Sequence, residues 1–131
     1  MKRQTARERA ALQRAAERRI RDRYSELDLA LSDIAADLET STRQLQRVSA
    51  EVAGRTFRDV LLEVRMKEAR RLLTRKRSPL PVRVVALRVG YRKPSGLRQA
   101  FVRYWGCNPS DVQPEPPEEL WMEPEARRAR T

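Results

Sequence analysis

Apolar residues recur at helical spacing along most of the chain, and one apolar pattern occurs twice. Residues 34–49 can be laid over residues 85–101, with an offset of 51 before a turn and 52 after it. Each copy predicts a short helix, a tight turn and a second helix whose outer face is rich in Arg and Gln. The paired positions are Ile34 with Val85, Ala35 with Ala86, Leu38 with Val89, Leu45 with Leu97 and Ser49 with Phe101. This repeat predicts two helix-turn-helix units in one chain.

Further helices flank the two units. Leu12, Ala16, Ile20 and Tyr24 recur every four residues and predict a first helix from about residue 6 to residue 24. Residues 56–74 form the longest periodic segment, and their wide apolar face predicts a linker helix that is packed on both sides. No segment alternates in the manner of a β-strand, so the sequence predicts an all-α fold.

Local signals place the ends of these helices. Ser32 and Ser41 are predicted N-caps, while Gly54 and Gly90 are predicted helix stops. Pro94 suits the first turn of a helix, where its missing N–H is not needed. The residues predicted to point inward from the second helix of the first unit are Leu45, Val48 and Val52.

The distribution of charge indicates the kind of partner. The 131 residues include 29 Lys and Arg against 18 Asp and Glu, for a net charge of +11. Residues 114–131 contain five Glu and three Arg, so this tail is at −2 and residues 1–113 are at +13. An Arg-rich genome would explain the preference for Arg but not the acidic tail. Together with two helix-turn-helix units, the basic body predicts double-stranded DNA as the partner.

Several kinds of chemistry have no residues to support them. Cys107 is the only cysteine, which excludes an internal disulfide, and the chain has no His. No cluster of metal ligands, nucleophile–base pair or phosphate-binding loop can be assembled. We therefore expect no enzyme activity, no cofactor and no metal, and a packed, inert thiol at Cys107. No apolar run approaches the roughly 18 residues of a membrane span, so we expect no membrane partner and a cytoplasmic location.

Several short motifs follow one another in a fixed order. They are Ile34-Ala35, Ser41…Leu45-Gln46-Arg47, Gly54 with Phe57, Leu61…Arg65…Ala69…Leu72-Leu73, Val85-Ala86…Val89-Gly90-Tyr91, and Ser95…Phe101…Tyr104…Gly106…Pro109. Over roughly residues 8–113 their spacing resembles the C-terminal DNA-binding domain of the AraC/XylS family of bacterial transcription regulators. That family usually has an aromatic residue where Ser49 stands, so we expect a thinner core under the first reading helix.

The resemblance implies a fold and a partner. We expect seven helices in a pair of homeodomain-like helix-turn-helix subdomains joined by the long linker helix. The expected divisions are a basic arm at 1–7, a domain at 8–113 with units at 32–53 and 82–105 and the linker helix at 56–74, and a Pro/Glu-rich tail at 114–131. The chain looks like the small stand-alone MarA/SoxS-like members, which lack a small-molecule effector domain and bind DNA as monomers. The resemblance also implies activation through RNA polymerase at the bacterial nucleoid.

Two sets of side chains are expected to contact DNA. Arg43, Gln46 and Arg47 share one helical face, and Arg and Gln can pair bidentately with guanine and adenine. Ser95, Arg98 and Gln99 hold the matching positions in the second unit. The residues expected to contact phosphate are Ser41, Thr42, Gln44, Arg92, Lys93 and Arg103. Pro94 and Gly96 in this unit have no side-chain donor. Two possibilities therefore stay open for the second unit: it reads bases, or it only holds phosphates.

Other functions stay open at this point. A non-sequence-specific architectural DNA binder would have similar affinity for any duplex, and a polymerase-interacting accessory factor would form a protein complex without DNA. In the tail, Leu120-Trp121-Met122 either docks on the domain itself or meets a partner, and the acidic residues also suggest competition with DNA. Arg65 is expected to bond helix-end carbonyls and so to brace the two subdomains.

Overall fold

The computed structural model describes residues 4–114, which form seven α-helices and, within this range, no β-strand. The helices are α1 (Ala6–Arg23), α2 (Leu31–Asp37), α3 (Thr42–Val48), α4 (Phe57–Leu73), α5 (Val82–Arg88), α6 (Pro94–Trp105) and α7 (Pro109–Val112). The predicted all-α fold with a long linker helix is confirmed. None of the helices in residues 4–114 is both long and apolar enough to cross a membrane. The motif Leu120-Trp121-Met122 lies outside the described residues.

Helix α1 begins at a reciprocal cap. The Thr5 hydroxyl accepts a hydrogen bond from the Glu8 backbone N–H at 3.1 Å, and the Glu8 carboxylate accepts one from the Thr5 N–H at 3.4 Å. Such a capping box satisfies two N–H groups that have no partner inside the helix. The helix therefore starts at Ala6, inside the segment 1–7 that the sequence indicated as an arm.

The predicted cap of α2 is wrong, whereas that of α3 is confirmed. Helix α2 starts at Leu31, and the N–H of Ala30 donates to the Asp33 carboxylate at 2.9 Å. Ser32 instead lies within the first turn. The Asp33 carboxylate, which lies near the helix N-terminus, also interacts favourably with the helix dipole. At α3, the Ser41 hydroxyl accepts from the backbone N–H of Gln44 at 3.0 Å.

The two helix-turn-helix units turn by the same hydrogen bonds. Each first helix ends in a Schellman arrangement, in which two N–H groups beyond the helix bond back to carbonyls of its last turn. The bonds run from Thr40 to Ala35 and from Glu39 to Ala36 in the first unit, and from Tyr91 to Ala86 and from Gly90 to Leu87 in the second. The motif needs one left-handed residue, which is Glu39 with φ +53° and Gly90 with φ +98°. The repeat seen in the sequence is thus a repeat of backbone geometry.

Helix α4 belongs to the cores of both units. Its early residues Val60 and Leu61 are buried with residues of α1, α2 and α3. Its later residues, among them Met66, Ala69 and Leu73, are buried with residues of α5 and α6. At 17 residues, α4 is about 25 Å long. One continuous helix therefore fixes the position of each unit relative to the other.

A π-helical segment, Ser49–Ala53, continues α3 and changes which residues are buried. Leu45 and Val48 are buried as predicted, but Val52 is 44% exposed. A π-turn contains one residue more than an α-turn, so Val52 is rotated off the inward face that an unbroken α-helix would give it. Gly54 then ends the segment in the left-handed conformation, which confirms the predicted stop.

Arg65 joins three parts of the fold. Its Nε donates to the Tyr24 carbonyl at 2.9 Å, and one Nη donates to the Glu26 carbonyl at 3.0 Å, just beyond α1. Its guanidinium lies 5.2 Å from the centre of the Tyr91 ring in the second unit. Gly90 lies so close that a Cβ there would be 2.6 Å from Arg65 Nη2. The bracing role predicted for Arg65 is confirmed.

Replacing Gly90 by Ala tests this contact. The added Cβ would meet Arg65 and, at 2.7 Å, the Tyr24 carbonyl, on a backbone that disfavours L side chains. We expect Gly90→Ala to lower the free energy of unfolding by about 2–4 kcal/mol in urea titrations. The control is Gly106→Ala, where φ is also positive but the added Cβ would meet nothing within 4 Å beyond its own chain neighbours. The cost of this change should be only about 1–2 kcal/mol. Equal losses in the two variants would contradict a close contact at Gly90.

Candidate nucleic-acid interface

Helix α3 presents the three predicted reading residues together. Arg43, Gln46 and Arg47 are all exposed, whereas Leu45 and Val48 of the same helix are buried. The buried pair fixes the rotation of the helix about its axis, so the exposed residues form one polar face. That face offers guanidinium and amide groups, which are the donors and acceptors that suit base edges in a major groove.

Helix α6 has the same arrangement with different side chains. Ser95, Arg98 and Gln99 are exposed, while Leu97 and Phe101 are completely buried. Each exposed residue stands 52 positions after its counterpart on α3. The two helices thus present equivalent faces whose chemistry differs, with Arg, Gln and Arg on one and Ser, Arg and Gln on the other.

One position on each helix is occupied by a contact within the domain. The Gln44 side-chain amide donates to the side chain of Gln4, so one N–H of this predicted phosphate ligand is engaged within the domain. Its counterpart is Gly96, where a Cβ would lie 3.2 Å from the Tyr91 ring. The glycine therefore makes room for Tyr91, which explains why α6 has no side chain at this position.

Most of the other predicted phosphate ligands lie around the N-termini of α3 and α6, whereas Arg103 is in the last turn of α6. Thr42, Lys93 and Arg103 are exposed, whereas the Ser41 hydroxyl serves as the cap described above. Arg92 forms an ion pair with Asp28, in the loop between α1 and α2. Hydrogen bonding within this pair lowers the pKa of Asp28 and raises that of Arg92. Both side chains are largely exposed, so the pair can exchange for a phosphate at little cost.

Arg58 is not among the residues that the sequence predicts for the interface. It is an exposed residue of the first turn of α4. It lines a concavity on the side of the first unit and another on the side of the second. The sequence did contain a signal for this residue, since Arg58 lies near the start of the predicted linker helix between the two units. Its position adds positive charge between α3 and α6.

A polar pair takes the place of aromatic packing beneath the first unit. The Ser49 hydroxyl donates to Gln13 Oε1 at 2.8 Å, and Gln13 is only 5% exposed. Beside Ser49, between α2, α3 and the start of α4, lies a cavity of about 960 Å³ whose lining includes Leu45 and Phe57. A serine fills less space than the aromatic residue expected from the resemblance. Gln13 shares the buried face of α1 with Ala16, which was the signal for a polar contact.

Comparison with known proteins identifies relatives of this arrangement. A family model described as a helix-turn-helix domain matches residues 34–114, a range that covers both units. The ornithine utilization regulator of Pseudomonas aeruginosa is 36% identical over 86 residues, which are 66% of this chain and 24% of that protein. The RCS-specific HTH-type transcriptional activator RclR of Escherichia coli is 38% identical over 83 residues, 63% of this chain and 28% of the relative. The chain spans about a quarter of the length of these curated relatives.

Solved structures share the fold. The C-terminal domain of AraT, a response regulator from Geobacillus stearothermophilus, has a TM-score of 0.74 and 28% identity, covering 86% of this chain and 92% of that one. The DNA-binding domain of the global transcriptional factor AdpA, solved in complex with a target DNA, has a TM-score of 0.68 and 26% identity, covering 90% and 94%. The seven-helix arrangement is therefore that of a known type of DNA-binding domain.

The Gln13–Ser49 pair can be tested by a double-mutant cycle. Ser49→Ala leaves the buried Gln13 oxygen without its donor, and we expect a loss of about 1–3 kcal/mol in the free energy of unfolding. Replacing both partners, with Gln13→Leu and Ser49→Ala together, removes the unpaired polar group and should bring stability back to within about 1 kcal/mol of the parent chain. If the loss in the double variant equals the sum of the losses in Ser49→Ala alone and Gln13→Leu alone, a direct interaction between the two side chains is contradicted.

Proposed function

Because the chain belongs to the helix-turn-helix family of AraC-type transcription regulators, we propose that it binds one asymmetric, two-part DNA site in a sequence-specific manner. In this proposal α3 and α6 enter two successive major-groove segments on the same face of the duplex. The observation that supports it most directly is the equal register of the two exposed faces, on helices whose buried residues share cores with a single linker helix. Its relatives are transcription regulators rather than enzymes.

The dimensions of the linker suit two adjacent groove segments. Successive major-groove faces lie one helical turn apart, about 34 Å. Helix α4 is somewhat shorter than this, about 25 Å, and it is buried in both cores. We infer that the two reading segments lie about ten base pairs apart. Because α4 holds the units at a fixed separation, the DNA bends to meet both, at an energetic cost that depends on its sequence.

The different faces of α3 and α6 account for the asymmetry of the site. We assign base contacts to Arg43, Gln46 and Arg47 in the first unit. The second unit has a shorter set, Arg98 and Gln99 with the small Ser95 beside them. Since bidentate Arg and Gln contacts supply most discrimination between bases, the segment read by α3 should be the more strongly specified.

Contacts to phosphate give affinity and orientation without reading sequence. We assign this role to Thr42, Lys93 and Arg103, with Arg92 joining when its ion pair with Asp28 opens. The Ser41 hydroxyl accepts from the Gln44 backbone N–H, so its own O–H can still donate to a phosphate, and the Gln44 amide keeps one N–H besides the one that bonds Gln4. Binding through such cationic groups weakens as salt rises, because each neutralised phosphate releases counterions.

We further propose that the bound chain activates transcription by contact with RNA polymerase. The name of its relative RclR describes a transcriptional activator, which is what supports activation over repression. One copy of the chain carries both reading units, so a single copy is enough to occupy the two-part site. The proposal therefore takes the chain to act on DNA as a monomer.

Selection of binding sites from random duplex DNA tests sequence-specific reading. At near-physiological salt we expect a two-part motif. Arg47→Ala should relax the first part and Arg98→Ala the second, each at a cost of about 1–3 kcal/mol for the preferred sequence. The control is Arg18→Ala, which removes an exposed charge from α1 without touching either reading helix; it should leave the motif unchanged.

The other outcomes identify the alternative functions. If every duplex binds alike and no motif emerges, the chain is an architectural DNA binder and the proposal of sequence-specific reading is wrong. If Arg98→Ala weakens binding without relaxing any base position, the second unit only holds phosphates. If DNA is hardly bound at all, the accessory-factor function replaces both.

A further inference from the structure

A groove of about 410 Å³ lies between α4 and α6. It combines an apolar floor with several arginines. The apolar side chains that line it include Leu61 and Leu62 of α4 and Ala100 of α6, and the arginines are Arg58, Arg65 and Arg103. No carboxylate is among the residues that line the groove. The groove thus differs from an ordinary core cavity, since positive charge lies along its rim.

The positive charges of the groove lack acidic partners. Neither Arg58 nor Arg103 forms an ion pair with any residue in the range 4–114. The hydrogen bonds of Arg65 go to neutral backbone carbonyls, so they do not balance its charge. Such a surface suits a ligand that places large apolar side chains on the floor and carboxylates against the arginines.

The tail of the same chain has this composition. Leu120-Trp121-Met122 is preceded by two Glu, at 118 and 119, and followed by Glu123. Two more Glu, at 115 and 125, flank this stretch. The apolar trio matches the floor of the groove, and the carboxylates match the three arginines. A similar run, Val60-Leu61-Leu62 between Asp59 and Glu63, is part of α4 itself and so forms the groove rather than filling it.

The tail also starts close enough to reach the groove. Helix α7, which ends at Val112, packs against both α4 and α6. From Pro114 to Leu120, six residues span up to about 20 Å when extended. That exceeds the length of α6, which at 12 residues is about 18 Å. The larger cavity is lined by Phe57 and Arg58 at the start of α4 and by residues of the first unit, whereas the groove extends along α4 to Arg65 and is lined by residues of α6.

We propose that Leu120-Trp121-Met122 docks in the groove between α4 and α6, and that the docked tail competes with DNA there. Gln99 and Arg103 both line the groove, and both are assigned DNA contacts, so the competition rests on the proposed function. A docked tail covers these residues and balances the charge beside them. Any duplex then has to displace the tail before it can bind. A preferred site does so at lower DNA concentration than a nonspecific duplex, because it binds more tightly.

Docking is measured on the full chain without DNA. We expect nuclear Overhauser contacts between the Trp121 indole ring and the methyl groups of Leu61, Leu62 and Ala100, independent of protein concentration. The proposed docking pairs Arg103 with Glu119, the carboxylate next to Leu120. Arg103→Glu should therefore weaken these contacts, and adding Glu119→Arg should restore them, because this ion pair is rebuilt with reversed charges. The control Thr131→Ala, at the end of the tail, should leave them unchanged.

Three results would overturn docking in this groove. The first is the absence of contacts between Trp121 and the groove. The second is a set of contacts to the cavity lined by Leu45 and Phe57 instead. The third is contacts that grow with protein concentration, which would show that the tail docks on a second copy.

Competition is measured separately, with Trp121→Ala and nonspecific duplex. If the tail occupies the groove about nine-tenths of the time, its removal should raise the apparent affinity about tenfold. Unchanged affinity, with the nuclear Overhauser contacts present, would overturn the competition. Failure of both proteins to bind any DNA would refute the proposed function instead, and it would leave the result on docking as it stands.

Discussion

The two-unit arrangement depends on the contacts that the Arg65 side chain makes with both units. From the middle of α4 it bonds the carbonyls of Tyr24 and Glu26 beyond α1, and it also lies against Gly90 and Tyr91 in the turn of the second unit. These hydrogen bonds satisfy carbonyls at a helix end, which would otherwise lack partners. One side chain therefore ties the first unit, the linker helix and the second turn together, and it supports the positions that α4 gives to the two units.

Much of the fold follows from the sequence, because its determinants are local. Apolar spacing predicts α1 and α4, and the repeat predicts both turns, whose left-handed residues Glu39 and Gly90 are equivalent. The exposed faces of α3 and α6 are equally local, because buried residues on the same helices fix their rotation. The side chains predicted to read bases accordingly lie together on each helix, although their contacts with DNA stay a prediction.

The features that the sequence does not reveal depend on contacts between distant segments. The π-helix after α3 turns Val52 outward, and Gln13 meets Ser49 across 36 residues of chain. Gln44 bonds Gln4, which occupies one N–H of its amide, and Arg92 pairs with Asp28 in the other unit. The spacing along α1 places Gln13 on a buried face, but spacing does not identify the partner in any of these pairings, because each depends on how two segments meet after they have formed.

We infer that one linker helix holds the two units at a fixed separation. The most direct test measures Kd for the preferred two-part site with one, two, five or ten base pairs inserted between its parts. A fixed separation predicts that every insertion lowers affinity towards that of a single part. It also predicts that ten base pairs do not restore affinity, because a full turn returns the face of the duplex but adds about 34 Å. Affinity that is insensitive to spacing, or that recovers at ten base pairs, would contradict the claim.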